Sequence, residues 1–373
     1  MKKLLYVSFE DSENRASGVN KKINGQIKAF EGEGYSADLI AHYQSNIAFY
    51  QGDGQPRIIE SDIPWRIALC GWAAKHASDY DVAYIRFQFF CPFVLNMVRS
   101  FHKAGVKTVM EIPTYPYVPE LKKQGAKGIP KRMIDASFRR ACAGYIDRFA
   151  APLYGDPIMG KPCIEIRNGI EVDEIQPRQV REPDGKIHLL AVAMMAPWQG
   201  YDRLIEGMHQ YYATGGKRDI ILHLVGQGPE LERYHAMSES YELKNRVIEH
   251  GQLHGDELDA MYNIADVGVG SLGVHRKEVR KTNTLKVLEY MAKGIPVICE
   301  HSEYGIPENS PYRFTVADDD SPLDVDAILQ FNDSIYDGKA LEHIIASIRG
   351  ECRRNCRITA GLKDVFAFIG TDR

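Results

Sequence analysis

The residues whose types and spacing point most directly to chemistry lie between Lys281 and Ile298, KTNTLKVLEYMAKGIPVI. A polar loop leads into a helix, which Gly294 ends before a buried strand. The start of a helix presents free backbone N–H groups and the positive end of its dipole, so it suits phosphate or another anion. Thr282 or Asn283 can cap it. Leu285, Leu288 and Met291 point inward. Glu289 lies one turn into the helix on a neighbouring face. Its carboxylate can accept hydrogen bonds from two ribose hydroxyls, or it is a solvated helix residue. Arg276, Lys277, Arg280, Lys281 and Lys286 flank the helix start, as anion ligands or as a solvated basic loop. Arg203, at the start of an earlier helix, either touches phosphate or pairs with Asp202 or Glu206.

Further candidates lie in the first half. The loop Asp11–Gly18 follows the first strand, and Gly18 permits close backbone approach to a ligand. Glu111-Ile-Pro-Thr-Tyr-Pro-Tyr117 reads as a rigid loop whose Tyr115 and Tyr117 rings suit a sugar face. Residues 122–148 carry Lys122, Lys123, Lys127, Lys131, Arg132, Arg139, Arg140 and Arg148 against Asp135 and Asp147, interleaved with Ile129, Met133, Ile134 and Phe138. Such a segment is either an ordinary solvated helix face or a contact for an anionic membrane. Asp318-Asp319-Asp320 reads as a surface turn rather than a metal site, so no metal is expected. The seven cysteines form no Cys-x-x-Cys pair, which fits a reducing compartment.

Alternating strands and helices must position these groups. Strands are expected at Lys3–Phe9, Ala37–Ala41, Asp81–Phe87 and Lys107–Ile112, with helices at Val19–Glu33, Trp65–Ala74 and Phe93–Ala104. Residues 173–186 are polar, contain two prolines and read as a linker. A second series follows, with strands Ile187–Ala193, Asp219–Val225, Val247–Gly251, Val267–Gly270 and Ile295–Cys299. Its helices are Tyr201–Tyr212, Glu230–Ser238, Asp256–Asn263 and Leu285–Lys293. The pattern predicts an α/β protein of two Rossmann-like, doubly wound domains facing across a cleft, with ligands beyond the carboxyl ends of the strands. The expected boundaries are 1–172, linker 173–186, 187–350 and a helical segment in 351–373. The 373 residues suit two cores. A net charge of −4 argues against nucleic acid as a partner. No apolar run reaches the roughly 18 residues of a spanning helix, and Leu4–Phe9 is too short for a signal-peptide core.

Several segments, in order, resemble the retaining GT-B glycosyltransferases of family four, in the bacterial surface-polysaccharide branch. Lys281–Ile298 resembles their C-terminal signature. Ser17-Gly18-Val19 with Lys22, Gln26 and Ala29 resembles their glycine loop and first helix. Asn168-Gly-Ile-Glu171, Trp198–Gly207, Val225-Gly226-Gln-Gly-Pro-Glu230 and His250-Gly251 with Glu257, Tyr262 and Ala265-Asp-Val267 resemble further family segments. The resemblance implies a metal-independent, cytoplasmic hexosyltransferase with no cofactor, in peripheral contact with the inner face of the membrane. Its donor would be a nucleoside diphosphate sugar, expected to be a UDP-sugar, held by the C-terminal domain. The acceptor would be a glycan or lipid-linked glycan on the N-terminal domain. The resemblance also implies that the helical segment in 351–373 packs back on that domain. Donor contacts are then expected from Gly18, Arg203, Gly226, His250, Gln252, Leu253, Arg276, Thr284, Leu285 and Glu289. Acceptor contacts are expected from Tyr115 and Tyr117. Two departures stand out. Lys281 replaces the first Glu of a Glu-x7-Glu pair, and Met194 and Gln199 replace an Arg and a Lys that neutralise the diphosphate. Lys281 and Lys286 are therefore expected to supply the charge, with Glu111 replacing a His that positions acceptor or sugar. The rivals are a non-catalytic nucleotide-sugar binder and a sugar-nucleotide epimerase on the same fold.

Overall fold

The computed structural model describes residues 1–13, 18–52, 54–118, 121, 128–277, 281–300 and 302–371, with the backbone alone described at 281, 282 and 302. The chain divides into two compact units. One combines Met1–Asn168 with Ile358–Arg373, and the other is Gly169–Arg357.

In the first unit the chain runs β1 (Lys3–Asp11), α1 (Gly18–Gly32), β2 (Ser36–Tyr43), β3 (Asn46–Gln51), β4 (Arg57–Ile59), α2 (Trp65–Lys75) and β5 (Val82–Arg86). It continues through α3 (Pro92–Lys103), β6 (Lys107–Glu111), α4 (Ile129–Gly144), β7 (Arg148–Pro152) and β8 (Cys163–Ile166). The sheet order is β4-β3-β2-β1-β5-β6-β7-β8. Strands β2, β1, β5, β6, β7 and β8 run parallel, while β3 and β4 extend the edge antiparallel. The hairpin β2–β3 was not expected. Its residues Asn46–Gln51 are short and only half alternate, a weak local signal. One sheet face buries Leu5, Val7, Ile85 and Met110 against α2, α3 and α4; the other buries Leu4, Tyr6, Tyr84 and Val109 against α1 and the last helix.

The second unit holds β9 (Lys186–Val192), α5 (Tyr201–Ala213), β10 (Asp219–Val225), α6 (Leu231–Ser240), β11 (Val247–Gly251), α7 (Asp256–Ile264) and β12 (Val267–Val269). Then come β13 (Lys281–Thr282), α8 (Leu285–Lys293), β14 (Val297–Cys299), β15 (Ser302–Glu303), β16 (Arg313–Thr315), α9 (Val325–Tyr336) and α10 (Leu341–Asn355). Its six-stranded sheet has the order β11-β10-β9-β12-β14-β16, every pairing parallel. Helices α5, α6 and α9 pack on one face, and α7, α8 and α10 on the other. Residues 173–186, expected as a linker, lie on this unit. Arg178 is buried there and donates to the Ala265 carbonyl and the Tyr336 hydroxyl.

The final helix, expected within 351–373, is shorter than that range, because the preceding helix runs on to Asn355 and the helical path breaks at Cys356-Arg357. α10 ends there and α11 (Ile358–Gly370) begins in the first unit, burying Ile358, Leu362, Val365 and Ile369.

Candidate functional site

The carboxyl ends of β9, β10, β12 and β14 in the second unit carry the candidate site. Two glycine turns bring its loops together. Gly226 has φ +133°, and its N–H donates to the Gly251 carbonyl at 2.7 Å. A Cβ there would run into the Ala193 carbonyl after β9. Gly200 has φ +64° and lies so tightly on Leu272-Gly273 that a Cβ would come within 2.5 Å of the Gly273 nitrogen. Each turn therefore requires glycine, both for dihedral and for space.

Gly200 opens α5, and this fixes the preceding Gln199. Its Nε2 donates to the Met194 carbonyl at 3.2 Å, and its Oε1 accepts from Ser271 Oγ at 3.0 Å. The same Oε1 accepts from Lys286 Nζ at 2.6 Å, and Lys286 also donates to the Tyr201 hydroxyl at 3.1 Å. Lys286 lies in the first turn of α8 and is half-buried. Burial pushes its ammonium down to about 7. Both groups that hydrogen-bond it are neutral; the Glu303 carboxylate acts on it electrostatically and partly offsets the burial, with no direct ion pair among the described residues. The Gln199 side chain was read only as a lost cation; it is the bracket for the cation on the neighbouring helix.

The helix tip itself is partly occupied. Thr284, not Thr282 or Asn283, is the residue before the first turn. Its N–H donates to Glu303 Oε2 at 3.0 Å and its hydroxyl to Glu303 Oε1 at 3.1 Å. Glu303 is 2% exposed. The Thr284 amide is therefore not open to a donor, which corrects the expectation for that residue. The amides of Leu285, Lys286 and Val287 follow, and a helix's own carbonyls cannot satisfy these first-turn groups. Asn283 is buried and donates to the Tyr304 carbonyl at 3.2 Å. Glu289 is half-buried on α8 and accepts a hydrogen bond from Tyr262 on α7.

Two arginines expected at phosphate are held by protein. Arg203 is 2% exposed and its guanidinium donates to the carbonyls of Ser321, Ala317 and Leu272. It ties the loop before α9 to α5 and has no face left for a ligand. Arg276 donates to both Asp202 oxygens at 3.0 and 2.9 Å, to Asp320 at 2.7 Å and to the Pro197 carbonyl. Asp202 and then Asp320 raise its pKa, so its charge is already neutralised. His275 spans Glu300 and Asp320 at 2.7 and 3.0 Å. Asp320 thus latches the basic loop. Lys277 lies over the Trp198 ring, 3.4 Å from its centroid. Arg280 and the Lys281 side chain lie outside the described residues.

His250 ends a chain that the sequence reading did not anticipate. Asp184 Oδ2 meets His188 Nε2 at 2.9 Å, His188 Nδ1 meets His223 Nε2 at 2.8 Å, and His223 Nδ1 meets His250 Nε2 at 2.9 Å. A carboxylate only accepts, so neutral rings must each carry the proton on Nε2, leaving His250 Nδ1 an acceptor. Burial, then the two neighbouring rings, pulls His223 down to about 3. The signal was present in the sequence, since β9, β10 and β11 each carry one histidine. Gln252 is exposed, and Leu253 packs against the core under α7 and α8.

In the first unit, Glu111 at the end of β6 is fully buried. It accepts from Lys22 Nζ at 3.0 Å, Gln26 Nε2 at 2.8 Å, the Tyr84 hydroxyl at 2.7 Å and Arg86 Nη1 at 2.7 Å. Burial opposes its charge, but Lys22 and Arg86 hold its pKa at about 2. Such a carboxylate neither reaches a sugar nor exchanges a proton near neutrality, which corrects its catalytic assignment. Tyr117 is also core: it is 5% exposed, packs on Phe87 and Phe90, and donates to Asp135 at 3.0 Å. Tyr115 is half-buried beside Tyr154, ring centroids 4.4 Å apart. Gly18 is exposed at the start of α1.

Residues 172–309 match the family model described as glycosyl transferases group 1. Over that segment the chain resembles the group 1 glycosyl transferases. The segment contains β9 to α8 and hence Gln199, Gly226 and Lys286. A stretch of 154 residues is 29% identical to the putative colanic acid biosynthesis glycosyltransferase WcaL of Escherichia coli (strain K12), covering 40% of this chain and 37% of that protein. The match thus spans little more than a third of the relative's length. Solved structures extend the likeness to the whole chain. Anabaena HepE, crystallised with UDP and glucose, is 13% identical with a TM-score of 0.61 over 100% of both chains. Sucrose-phosphate synthase of Thermosynechococcus elongatus is 15% identical with a TM-score of 0.61 over 99% of both. The catalytic domain of Arabidopsis thaliana starch synthase IV, bound to ADP and acarbose, reaches 0.64 at 9% identity over 99% of both. The fold is that of the GT-B glycosyltransferases. Among the described residues no helix is long and apolar enough to cross a membrane.

Proposed function

We propose that the chain is a retaining glycosyltransferase that moves a hexosyl unit from a nucleoside diphosphate sugar, a UDP-sugar, to a hydroxyl of a glycan or lipid-linked glycan. The reaction would belong to polysaccharide biosynthesis, as the printed name of the E. coli relative suggests for that protein. One observation carries the reading. Lys286 holds a cation between two neutral groups at the first turn of α8, where Leu285 and its neighbours offer backbone amides. An ammonium hydrogen-bonded only by neutral groups beside a helix start, with the Glu303 carboxylate acting on it without a direct ion pair, is suited to an anion, and a diphosphate gains charge as it leaves.

In this mechanism the bond from the anomeric carbon to the diphosphate oxygen breaks as the acceptor oxygen bonds to the same face. The acceptor's proton passes to the departing phosphate oxygen. No enzyme nucleophile is required and no metal is invoked. Lys286 and the Leu285 amide steady the phosphate, with Gln199 aiming the ammonium. Glu289 takes the ribose hydroxyls, exchanging its Tyr262 contact or sharing it. His250 Nδ1, Gln252 and Leu253 lie on the loop proposed to receive the base. The Lys281 side chain and Gly18 remain proposed phosphate contacts, and Tyr115 a proposed acceptor contact.

The test is a thermal-shift series with UDP-, GDP- and ADP-sugars, followed by nucleotide release with and without glycan acceptors. A donor that binds raises the melting temperature by mass action. The shift should appear for one nucleotide class and vanish in K286M, and nucleotide release should require acceptor. A shift that K286M leaves intact would overturn the assigned phosphate site. Donor binding with no sugar transfer to any lipid-linked or free glycan would favour a binding protein instead.

A further inference from the structure

Two cations meet at the carboxyl ends of the strands of the first unit without a counter-charge. Arg66 lies in the first turn of α2. Its guanidinium is 4.8 Å from the centroid of the Phe9 ring, 4.6 Å from that of Trp65 and 4.5 Å from that of Phe89. Phe9 comes from the last residues of β1, and Gln88 and Phe89 follow the end of β5. Lys131, in the first turn of α4, holds its ammonium 4.7 Å from the centroid of the same Phe89 ring. β1 and β5 are parallel neighbours, so the cluster occupies the end of the sheet at which doubly wound folds bind ligands.

The charges are poorly compensated. Burial lowers the pKa of Arg66 and of Lys131, and the Arg66 charge lowers that of Lys131 further. Asp135 acts on Lys131 in the opposite sense, but its oxygens are taken by the Phe90 N–H, the Tyr117 hydroxyl and Arg139. Among the described residues no carboxylate forms an ion pair with Arg66 or Lys131. The Arg66 guanidinium donates to the neutral side-chain oxygen of Gln88, and its Nη1 is buried with no acceptor. Ring faces attract cations but leave their charge in place. Two half-buried cations that repel each other therefore cost free energy until an anion joins them.

We infer that Arg66 and Lys131 form a binding site for an oxyanion carried by a sugar, either the carboxylate of a uronic acid or a sugar phosphate. Such a group replaces the Gln88 oxygen on Arg66, reaches Nη1 and receives the Lys131 ammonium. Gln88 is half-buried on the short segment between β5 and α3, and a charged acceptor outcompetes its neutral amide for a guanidinium. The surrounding rings keep water out and so strengthen both cations toward the ligand. Taking this ligand to be the acceptor rests on the transferase reading above; the sign of its charge is read from the first unit alone. The acceptor is then an acidic glycan, told from a neutral one by these two side chains.

Ligand-observed NMR on the full chain, with methyl glucuronide, glucose 6-phosphate and neutral methyl glucoside at millimolar concentration, tests this. One or both anionic probes should bind at least about tenfold more tightly than the glucoside, and high salt should weaken them. The preferred probe identifies the oxyanion. K131M should weaken anion binding about tenfold, as expected for one lost charge-assisted hydrogen bond. Its melting temperature should hold, because Lys131 lies at the edge of the cluster. R66M should also lose the preference for charge, and R66K should keep part of it; a purely structural Arg66 would shift the melting temperature and leave that preference intact. Equal binding of charged and neutral probes, no binding of either anion, or a preference that survives in both K131M and R66M would overturn the inference. Anion binding in a chain that responds to no nucleotide sugar would sink the transferase reading and uphold this site. A nucleotide-sugar shift with no anion bound here would do the reverse.

Discussion

Lys286 and His223 are both basic groups whose charge burial opposes, and each gives a distinct pH signature. With the Lys286 ammonium near 7 in the free protein, that charge fades as pH rises past neutrality. Donor kcat/KM should therefore fall on the alkaline side of about 7. In K286R the guanidinium stays charged, so that alkaline limb should flatten even if the absolute rate drops. For His223, held at about 3 in the fold, the unfolded ring takes up a proton near its ordinary value of about 6.5. The stabilisation by the neutral chain is complete above about 6.5 and is lost as pH falls toward 3, at up to about 1.4 kcal/mol per pH unit. Melting temperatures of H223N should show a shallower acid slope over that window. Glu111 contributes in the same direction, but only below its ordinary carboxylate range.

At the level of elements, two glycines that look alike as motif residues have opposite structural duties. Gly226 joins β10 to the next loop with φ +133°, and any Cβ would meet the Ala193 carbonyl. G226A should cost about 2–3 kcal/mol in urea unfolding, since dihedral and contact both oppose it. Gly18 opens α1, and a Cβ added there meets nothing within 4 Å. G18A should stay within about 0.5 kcal/mol of the parent or be slightly stabilising. A loss of donor binding in G18A without loss of stability would mark a ligand contact rather than a fold requirement.

For the whole molecule, the decisive element is α11, which belongs by packing to the unit from which it is most distant in sequence. Ile358, Leu362, Val365 and Ile369 close a face of the first sheet, and Phe366 meets Phe30 edge-on at 5.5 Å. Removing residues 358–373 would uncover this face. At about 1.5–3 kcal/mol per buried aliphatic side chain, the loss rivals the net stability of a domain. Limited proteolysis of such a truncation should cut within residues 1–168 quickly while β9 to α9 stay protected. Equal resistance in both parts would contradict this account.

The alternation of strands and helices, the glycine at the end of α8 and the order of the family-like segments were legible in the sequence, because each is a local pattern over a few residues. The β3–β4 edge and the point at which α10 gives way to α11 were not, because their signals are short or interrupted. The fate of the charges was decided by tertiary structure alone. Glu111 finds Lys22 and Arg86, Arg203 finds carbonyls more than a hundred residues downstream, Thr284 finds Glu303, and Lys286 finds Gln199. Periodicity reports which face of an element is buried. Desolvation and pairing depend on what a different element brings to that face, so only the folded chain distinguishes an arginine that braces a loop from a lysine held by neutral groups.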